Sequence, residues 1–475
     1  MSGPGRTPQR PAGTDGQGAG DDAGRAADVA DDFAHTTVPD DARIGRTRLT
    51  MASWSLATGM AWLFYGALAS TLAGTRDALL GLGLSVVVFA LANMPMVRIA
   101  TTTGMSSALA SQRVFGRAGA ALIALLLAAT TVYFAVFEGS VMAEAFHQQW
   151  GHDIRWWYLA VVVGLLPLMM GGVLTWLDKL NAALLPLYVV GITAALAAAG
   201  RRGDPGAFWD FPGVVPEAAR VLPGWLTVFV LYLGIWLVMP TTVDFARFGR
   251  ARDTRFLQTV TFGWVFGAVV FAVNGAIGMF LVQMVLPGSA VAAENGVVSA
   301  IVGPLGVWGV LLIVVTQVRI NTLNFYQSST NIQRLVKQFV GVRIPRPAAV
   351  VAVGVLTFVL MLTDVFSYLQ KALSWQGTFF VGWVGIVLAD LALRTRKGAP
   401  GVRVGAACTV WVLSAAAGIV LIQSPERWPE ASALAPVVSL GLAMAGYLAL
   451  ALWPHHGAAG RRGAPDRAEA VTRNG

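Results

Sequence analysis

The sequence has few charged residues and a single cysteine, and both shortages limit what the protein can be. Only 12% of its 475 residues are charged, whereas a soluble domain carries roughly 25%. The one cysteine, Cys408, excludes a disulfide within the chain and makes a thiolate metal site implausible. No histidine lies inside an apolar run, and no nucleophile elbow, phosphate loop or zinc-helix motif is present. We therefore expect no metal, no cofactor and no enzyme.

Long apolar segments replace the missing charge. Hydrophobic residues make up 56% of the chain, and they form repeated runs long enough to cross a hydrocarbon core of ~30 Å. The sequence predicts an all-α integral membrane protein of about twelve transmembrane helices. The predicted helices lie near residues 48–72, 77–99, 112–145, 156–176, 180–200, 223–244, 257–286, 298–331, 347–364, 368–393, 403–423 and 432–453.

The termini and the connecting loops predict the topology. Residues 1–45 and 454–475 are rich in small and polar residues and are predicted to be disordered cytoplasmic tails on either side of a membrane domain, 46–453. Lysine and arginine accumulate on alternate loops, which places both termini in the cytoplasm and the protein in the cytoplasmic membrane. Although the net charge is +9, the basic residues form no continuous face, so we expect no nucleic-acid partner. Nothing in the sequence indicates an oligomeric interface.

Two charged residues lie in the middle of predicted helices, where an unpaired charge is costly. Glu138 lies in the third helix and Arg319 in the eighth. One interpretation is a structural ion pair between them. The other is a role in coupling, because a carboxylate removed from water more readily takes up a proton and could exchange protons during transport. The two interpretations are compatible.

The eighth helix also carries a polar stripe. At 100° per residue, five polar side chains fall within one arc of about 80°, while Arg319 and Tyr326 point to the opposite side. Such a stripe either joins helices or faces a polar substrate, and we favour the substrate because amides offer both donors and acceptors. The stripe consists of Gln317, Asn321, Asn324, Ser328 and Asn331.

Helix-breaking residues interrupt two predicted helices. Gly59 interrupts the first helix, and Gly234 and Pro240 interrupt the sixth around Trp236. Two inverted repeats of five helices would place two broken helices at these positions, with the substrate at the membrane midplane. Glycine and proline are common in membrane helices, so the breaks alone are weak evidence. The Trp236 indole would stack on a flat ligand, with Phe134 as a second aromatic face.

Four segments resemble motifs of the nucleobase and cation symporter family, which includes purine, cytosine, allantoin and hydantoin permeases, and the resemblance covers residues 45–453. The match on the eighth helix, 319–326, is the strongest. The end of the tenth helix, Gly382 to Asp390, is also similar. The remaining matches are Thr103, Gly104, Ser111, Arg113, Phe115 and Gly116 before the third helix, and Asp244, Phe245, Ala246, Arg247 and Phe248 after the sixth.

The resemblance implies a LeuT-like fold, with ten core helices in two inverted repeats and two peripheral helices. It implies a substrate site at the first break, Gly59, with aromatic and polar contacts from the third, sixth and eighth helices. The implied contacts are Phe134, Glu138, Trp236, Asn321, Asn324 and Phe325.

One departure from the family pattern concerns the coupling ion. Sodium-dependent members have hydroxyl side chains where Arg319 and Ile320 stand. A guanidinium cannot bind sodium, so Arg319 is predicted to replace the cation. The function expected from the resemblance is import of a nucleobase, purine or cytosine-like, driven by protons or uncoupled and independent of sodium. The alternatives are a permease for allantoin, hydantoin or a vitamin-like ring, a membrane sensor that binds without transport, and a membrane-embedded enzyme.

Overall fold

The computed structural model is an all-helical bundle. The structure describes residues 33–170, 178–287, 296–363, 369–394, 402 and 404–452. In these ranges the single β-type pairing is an isolated bridge between Ile44 and Gly249. The prediction of an all-α protein is confirmed.

Twelve helical elements, named α1 to α12, correspond in order to the twelve predicted helices. Two of them, α1 and α6, are each divided into two halves. The bounds are Arg46–Ser53 and Ala61–Ala73 (α1), Thr75–Thr103 (α2), Ser107–Trp150 (α3), Ile154–Met169 (α4), Asp178–Gly200 (α5), Gly224–Leu233 and Val238–Ala246 (α6), Ala251–Val285 with two π-helical turns (α7), Val307–Val340 (α8), Arg346–Met361 (α9), Leu369–Arg394 (α10), Val404–Ile422 (α11) and Ala435–Leu452 (α12).

Length and composition identify most of these helices as membrane spans. Among the described residues, eight helices are long and apolar enough to cross a bilayer, and the two broken pairs raise the number to ten. The remaining two, α4 and α9, are apolar but only 16 residues each. The predicted fourth helix ran to residue 176, and residues 171–177 lie outside the described ranges. The chain is therefore a multi-span membrane protein, and its described residues hold up to ten full-length spans, against about twelve predicted helices.

Both predicted helix breaks are present. The two parts of α1, Arg46–Thr58 and Ala61–Ala73, meet at an angle of 43°, and the halves of α6 meet at 44°. At the first break Gly59 is extended, with φ −63° and ψ 136°. At the second, residues 234–237 form tight turns, whereas Pro240 lies in the first turn of the following half, where its missing N–H is tolerated. The second break therefore precedes Pro240.

The predicted eighth helix, 298–331, is two helices in the structure. A separate helix, Gly296–Leu305, ends at Gly306, and α8 runs from Val307 to Val340. Gly306 has φ +55°, a conformation that favours glycine. Both helices are apolar, so hydropathy alone merges them. The predicted range was wrong at both ends because it started nine residues early and stopped nine residues early.

Residues 33–45 are packed against the bundle, although the sequence analysis placed them in the N-terminal tail. Phe33 and Val38 are buried. The Val38 amide donates to the Gly104 carbonyl at 2.9 Å, and the Ile44 amide donates to the Phe248 carbonyl at 2.8 Å. The ordered part of the chain thus begins before residue 46. The rest of the predicted tails, 1–32 and 454–475, lies outside the described residues.

The packing of the helices repeats after five elements. The second half of α1 packs on α7, and the second half of α6 packs on α2, which is the same contact shifted by five; the first half of α6 contacts α2 as well. Likewise α3 packs on α4, as α8 packs on α9, and α3 and α8 lie against each other at the centre. This arrangement is that of two related five-helix units, and α11 and α12 pack on α10 outside them.

Candidate functional site

A cavity lies where the two helix breaks face α3 and α8. Its empty volume, which includes space open to solvent, is about 440 Å³. Backbone groups freed by broken helices are typical of midplane substrate sites in transporters. The lining residues are Leu56, Ala61, Trp62, Tyr65, Thr131, Phe134, Glu138, Ile235, Leu237, Val238, Thr241, Ile320, Leu323, Asn324 and Gln327.

Helical periodicity explains which side chains reach the cavity. On α3, Thr131, Phe134 and Glu138 are spaced at three and four residues, so they lie on one face. The same spacing on α8 aligns Leu323 and Gln327 with Ile320. The two faces oppose each other because α3 and α8 pack along their length.

Glu138 is fully buried and lies at the break of α1. Its Oε1 accepts a hydrogen bond from the Ala61 amide at 3.3 Å, at the start of the second half of α1. A carboxylate is stabilised there by the positive end of the helix dipole. Oε2 accepts no hydrogen bond from the described residues, although the Gln317 side chain is a neighbour of the carboxylate. One carboxylate oxygen is therefore unused in the wall of the cavity.

Gly59 is placed next to that carboxylate. A Cβ atom on Gly59 would lie 3.0 Å from Glu138 Oε1 and 3.2 Å from Ile320 Cγ1. Both distances are shorter than ordinary van der Waals contact. Glycine at this position therefore allows α3 and α8 to approach the break closely.

Aromatic side chains form the other walls of the cavity. Phe134 lines it as predicted, and Trp62 and Tyr65 line it from the second half of α1. The Trp62 indole is fixed by its hydrogen bond to the Leu56 carbonyl at 2.6 Å and by an edge contact with Tyr65. Sequence reasoning missed these two residues, although Trp62 is the first tryptophan after the break at Gly59. Three rings around a small cavity suit a flat ligand.

Trp236 lies in the break of α6 and is buried, but its neighbours in sequence, Ile235 and Leu237, are the residues that line the cavity. The structure thus places Trp236 at the predicted break without bringing it to the cavity wall. Its predicted stacking on a ligand stays a prediction.

The polar stripe of α8 only partly reaches the cavity. Asn324 lines it and donates to Asn321 Oδ1 at 3.4 Å. Asn321 and Phe325 are buried behind that surface. Ser328 and Asn331 donate to backbone carbonyls of α8 itself. The substrate-facing part of the stripe is therefore shorter than predicted.

Gln327, which sequence reasoning did not select, lines the cavity next to Asn324 and points toward α6. Its Oε1 accepts from the Thr241 hydroxyl at 3.0 Å, and its Nε2 donates to Asp244 Oδ2 at 3.3 Å. The signal in the sequence was its spacing of three from Asn324. Gln327 links the cavity to Asp244 at the end of α6.

Arg319 is buried on the other side of the α1 break. Its guanidinium donates to Thr58 Oγ1 at 3.1 Å, to the Trp54 carbonyl at 3.5 Å and to the Asn181 carbonyl of α5. Within the described ranges it forms no ion pair, and Glu138 is bound elsewhere. The predicted ion pair between Glu138 and Arg319 is absent from this structure, because the two side chains contact opposite ends of the break.

A network centred on Asp244 closes one side of the site. Asp244 accepts from both the amide and the hydroxyl of Ser107 at 2.9 Å and forms an ion pair with Arg334 at 3.7 Å. Arg247 and Arg334 donate to the Phe33 and Ala34 carbonyls at 2.9 and 2.7 Å. These contacts hold α3, α6, α8 and the N-terminal segment together below the cavity.

Comparison with solved structures identifies the fold. Mhp1, a nucleobase-cation-symport-1 family transporter in a closed conformation with bromovinylhydantoin bound, matches with a TM-score of 0.64, 14% identity and coverage of 87% of this chain and 94% of Mhp1. A Na⁺-coupled sialic acid symporter in an outward-open state matches with a TM-score of 0.58 and 13% identity, and the match covers 90% of this chain and 95% of the symporter. A manganese transporter of Eremococcus coleocola matches with a TM-score of 0.53 and 14% identity, and the match covers 88% of this chain and 97% of the transporter. The chain has a LeuT-like fold.

No protein-family model and no curated protein matches the sequence. The three solved structures are at most 14% identical to this chain. They therefore establish the fold alone, and the substrate and the coupling ion must be argued from the residues of the site.

Proposed function

We propose that the protein is a secondary active transporter that imports a flat heterocycle, a purine or cytosine-like nucleobase, across the cytoplasmic membrane. The observation that carries the proposal is the cavity at the two helix breaks, with a buried carboxylate and aromatic walls. LeuT-like transporters of this arrangement move one helix unit against the other around a midplane site.

The side chains of the cavity fit the edge and the faces of such a ring. The Glu138 carboxylate is acceptor-only when ionised, so it suits two adjacent N–H groups of a base. The Asn324 amide offers a donor and an acceptor, and the rings of Trp62 and Phe134 offer stacking surfaces. Mhp1, with the same fold, holds a hydantoin derivative, which is also a flat ring with amide edges. This likeness supports the class of substrate.

The surroundings of Arg319 support coupling without sodium. Two carbonyls and one hydroxyl, the oxygen donors that suit a hard cation, converge on its guanidinium. The positive charge is supplied by the protein, so a mobile cation is not needed there. Glu138 then carries the coupling proton, or transport is uncoupled.

Uptake of labelled cytosine, adenine, hypoxanthine, uracil, allantoin and hydantoin into cells lacking their own permeases tests the proposal. We expect saturable uptake of one base that is unchanged when sodium is replaced by choline and collapses with an uncoupler. Saturable stimulation by sodium would contradict the role given to Arg319. If no ring compound is taken up, the nucleobase assignment is wrong, while the fold stands.

The same uptake experiment, together with counterflow in liposomes, distinguishes two alternative functions from the proposed one. Uptake of allantoin or hydantoin alone would identify a permease for a related heterocycle. A sensor would bind a ring compound without moving it, so purified protein in liposomes would show binding but no counterflow of labelled ligand. We expect counterflow, because the cytoplasmic closure includes hydrogen bonds and the Asp244–Arg334 ion pair, which an opening motion can break.

A further inference from the structure

A second cavity lies on the cytoplasmic side, away from the proposed substrate site. It has an empty volume of about 780 Å³ and is formed by the N-terminal segment, the start of α3 and the last turns of α8. Its lining residues are Ala34, His35, Ser106, Ala108, Leu109, Gln112, Arg117, Ala120, Ala124, Arg334, Lys337 and Gln338. Three of these are permanent cations, and none of the lining residues in the described chain is a carboxylate.

Arg334 is the buried cation of this cavity. Its Nε donates to the Ala34 carbonyl at 2.7 Å, and its NH1 donates to Asn331 Oδ1 at 2.9 Å and pairs with Asp244. Its NH2 is buried and has no hydrogen-bond partner in the part of the chain that the structure describes. A buried guanidinium N–H without an acceptor is costly, so this group calls for an acceptor in the cavity.

Two further cations are held at the rim. Lys337 follows Arg334 by three residues on α8, so the two side chains share a face. Arg117 follows Gly116, whose φ of +75° kinks α3, and the Arg117 carbonyl accepts from Gln338 Nε2 at 3.1 Å. The contact holds α3 against α8. Like charges that line one cavity repel each other, and an anion between them offsets that repulsion.

The start of α3 adds a further positive contribution. Ser106 is the N-cap of the helical segment 107–115 that precedes the kink at Gly116; its Oγ accepts from the Leu109 amide, and the Ser107 amide donates to Asp244. The N-terminus of a helix favours phosphate and other anions. Three cations, a buried unpaired N–H and a helix N-terminus therefore converge on one cavity.

We propose that this cavity binds a phosphoryl group, which bridges Arg117, Arg334 and Lys337 and holds the N-terminal segment on the closed cytoplasmic side. The geometry fits because the tetrahedral phosphoryl group has several acceptor oxygens that charged donors bind strongly. The group belongs either to a free phosphate compound or to the headgroup of an anionic lipid. The site is separate from the substrate cavity, so its test does not depend on the proposed function.

The experiment measures thermal unfolding of the purified full chain in detergent by tryptophan fluorescence. One arm titrates potassium pyrophosphate against potassium chloride at equal ionic strength, and the other adds phosphatidylglycerol or phosphatidylcholine. The cavity variant is Arg117→Gln with Lys337→Gln. Arg117 is exposed and Lys337 half-buried, so we expect this variant to fold. The matched control, Arg252→Gln with Arg255→Gln, removes the same charge from exposed positions in the first turns of α7.

We expect wild type and control to be stabilised by one of the two phosphoryl compounds, and the apparent affinity of the cavity variant to be about tenfold lower or more. Stabilisation by pyrophosphate identifies a free phosphate compound, and stabilisation by phosphatidylglycerol alone identifies a lipid headgroup. The charge-retaining variant Arg117→Lys with Lys337→Arg should keep binding. The proposal is overturned if neither compound stabilises wild type, or if both double Gln variants lose the effect equally.

Discussion

Glu138 and Arg319 complement the two ends of the α1 break. Glu138 accepts from the amide of Ala61, where the second half begins, and Arg319 donates to the carbonyl of Trp54, where the first half ends. A broken helix exposes N–H groups at one new end and carbonyls at the other, and these ends favour an anion and a cation respectively. The two buried charges are thus stabilised by the break without touching each other. The break in turn is stabilised by them, since no water is available inside a membrane to satisfy its backbone.

The first prediction concerns the carboxylate of Glu138. Glu138→Gln keeps the size of the side chain but removes the charge and the exchangeable proton. We expect affinity for the transported base to fall by about 10- to 100-fold, the effect of losing a charged hydrogen bond. We also expect accumulation that is sensitive to an uncoupler to disappear. Binding and uptake of the labelled base measure the two effects.

Glu144→Gln provides the matched control. Glu144 is a second buried carboxylate on α3, and it accepts a hydrogen bond from Gln148 at 3.0 Å outside the substrate cavity. This variant should transport like wild type. Equal losses in both variants would show that any buried charge change on α3 is damaging, and Glu138 would lose its assigned role.

The second prediction concerns Arg319. Arg319→Ala removes the charged hydrogen bonds to the Trp54 and Asn181 carbonyls, and a hydrogen bond to a charged group contributes about 1.5–3 kcal/mol. We expect a lower unfolding temperature and loss of uptake, while the exposed Arg98→Ala on α2 should change neither. Added sodium should raise the unfolding temperature of Arg319→Ala and leave wild type unchanged. If the variant without sodium is as stable as wild type, the guanidinium does not act as a fixed cation.

At the scale of the helices, hydropathy predicts that a helix exists better than it predicts where the helix ends or which of its faces lines the cavity. The helices follow from apolar runs, and the breaks follow from Gly59 and from Gly234 with Trp236. The sequence did not predict the start of α8, because the separate helix Gly296–Leu305 is also apolar and was merged with α8 in the prediction. The sequence also did not predict which tryptophan lines the cavity. The rotation of a helix segment beyond a break depends on the angle of the break, so Trp62 lines the cavity and Trp236 does not.

The third prediction belongs to the break of α1. In Gly59→Ala the new methyl group would contact Glu138 Oε1 and Ile320 Cγ1 at 3.0 and 3.2 Å, so both side chains must shift by a few tenths of an ångström. We expect substrate binding to fall at least tenfold while the protein still folds. Gly83→Ala on α2 meets open space, with nothing within 4 Å, and should bind normally. Binding measured on both purified variants decides this, and normal affinity in Gly59→Ala would show that the close approach is unimportant.

At the scale of the whole molecule, the repeat of helix contacts is evident in the structure but not in the sequence. The contact of α1 with α7 recurs as that of α6 with α2, although the corresponding segments share no clear sequence identity. Contacts between helices constrain side-chain size and shape on one face only, so many sequences satisfy the same arrangement. This is consistent with identities of only 14% to solved structures that cover most of the chain. Charge distribution, in contrast, indicates orientation directly from the sequence.

The fourth prediction tests that orientation. The link between α6 and α7 and the first turns of α7 carry Arg250, Arg252 and Arg255, and excess basic charge marks the cytoplasmic side. In a Cys408→Ala background, Arg252→Cys should react with a membrane-impermeant thiol reagent only after the cells are lysed. Asp204→Cys, in the α5–α6 loop, should react in intact cells. Both positions are exposed, so access to the reagent is set by the membrane. If the pattern is reversed, the N-terminal segment, the Asp244 network and the proposed phosphoryl site all face the outside, because they lie on the same side of the bundle as Arg252.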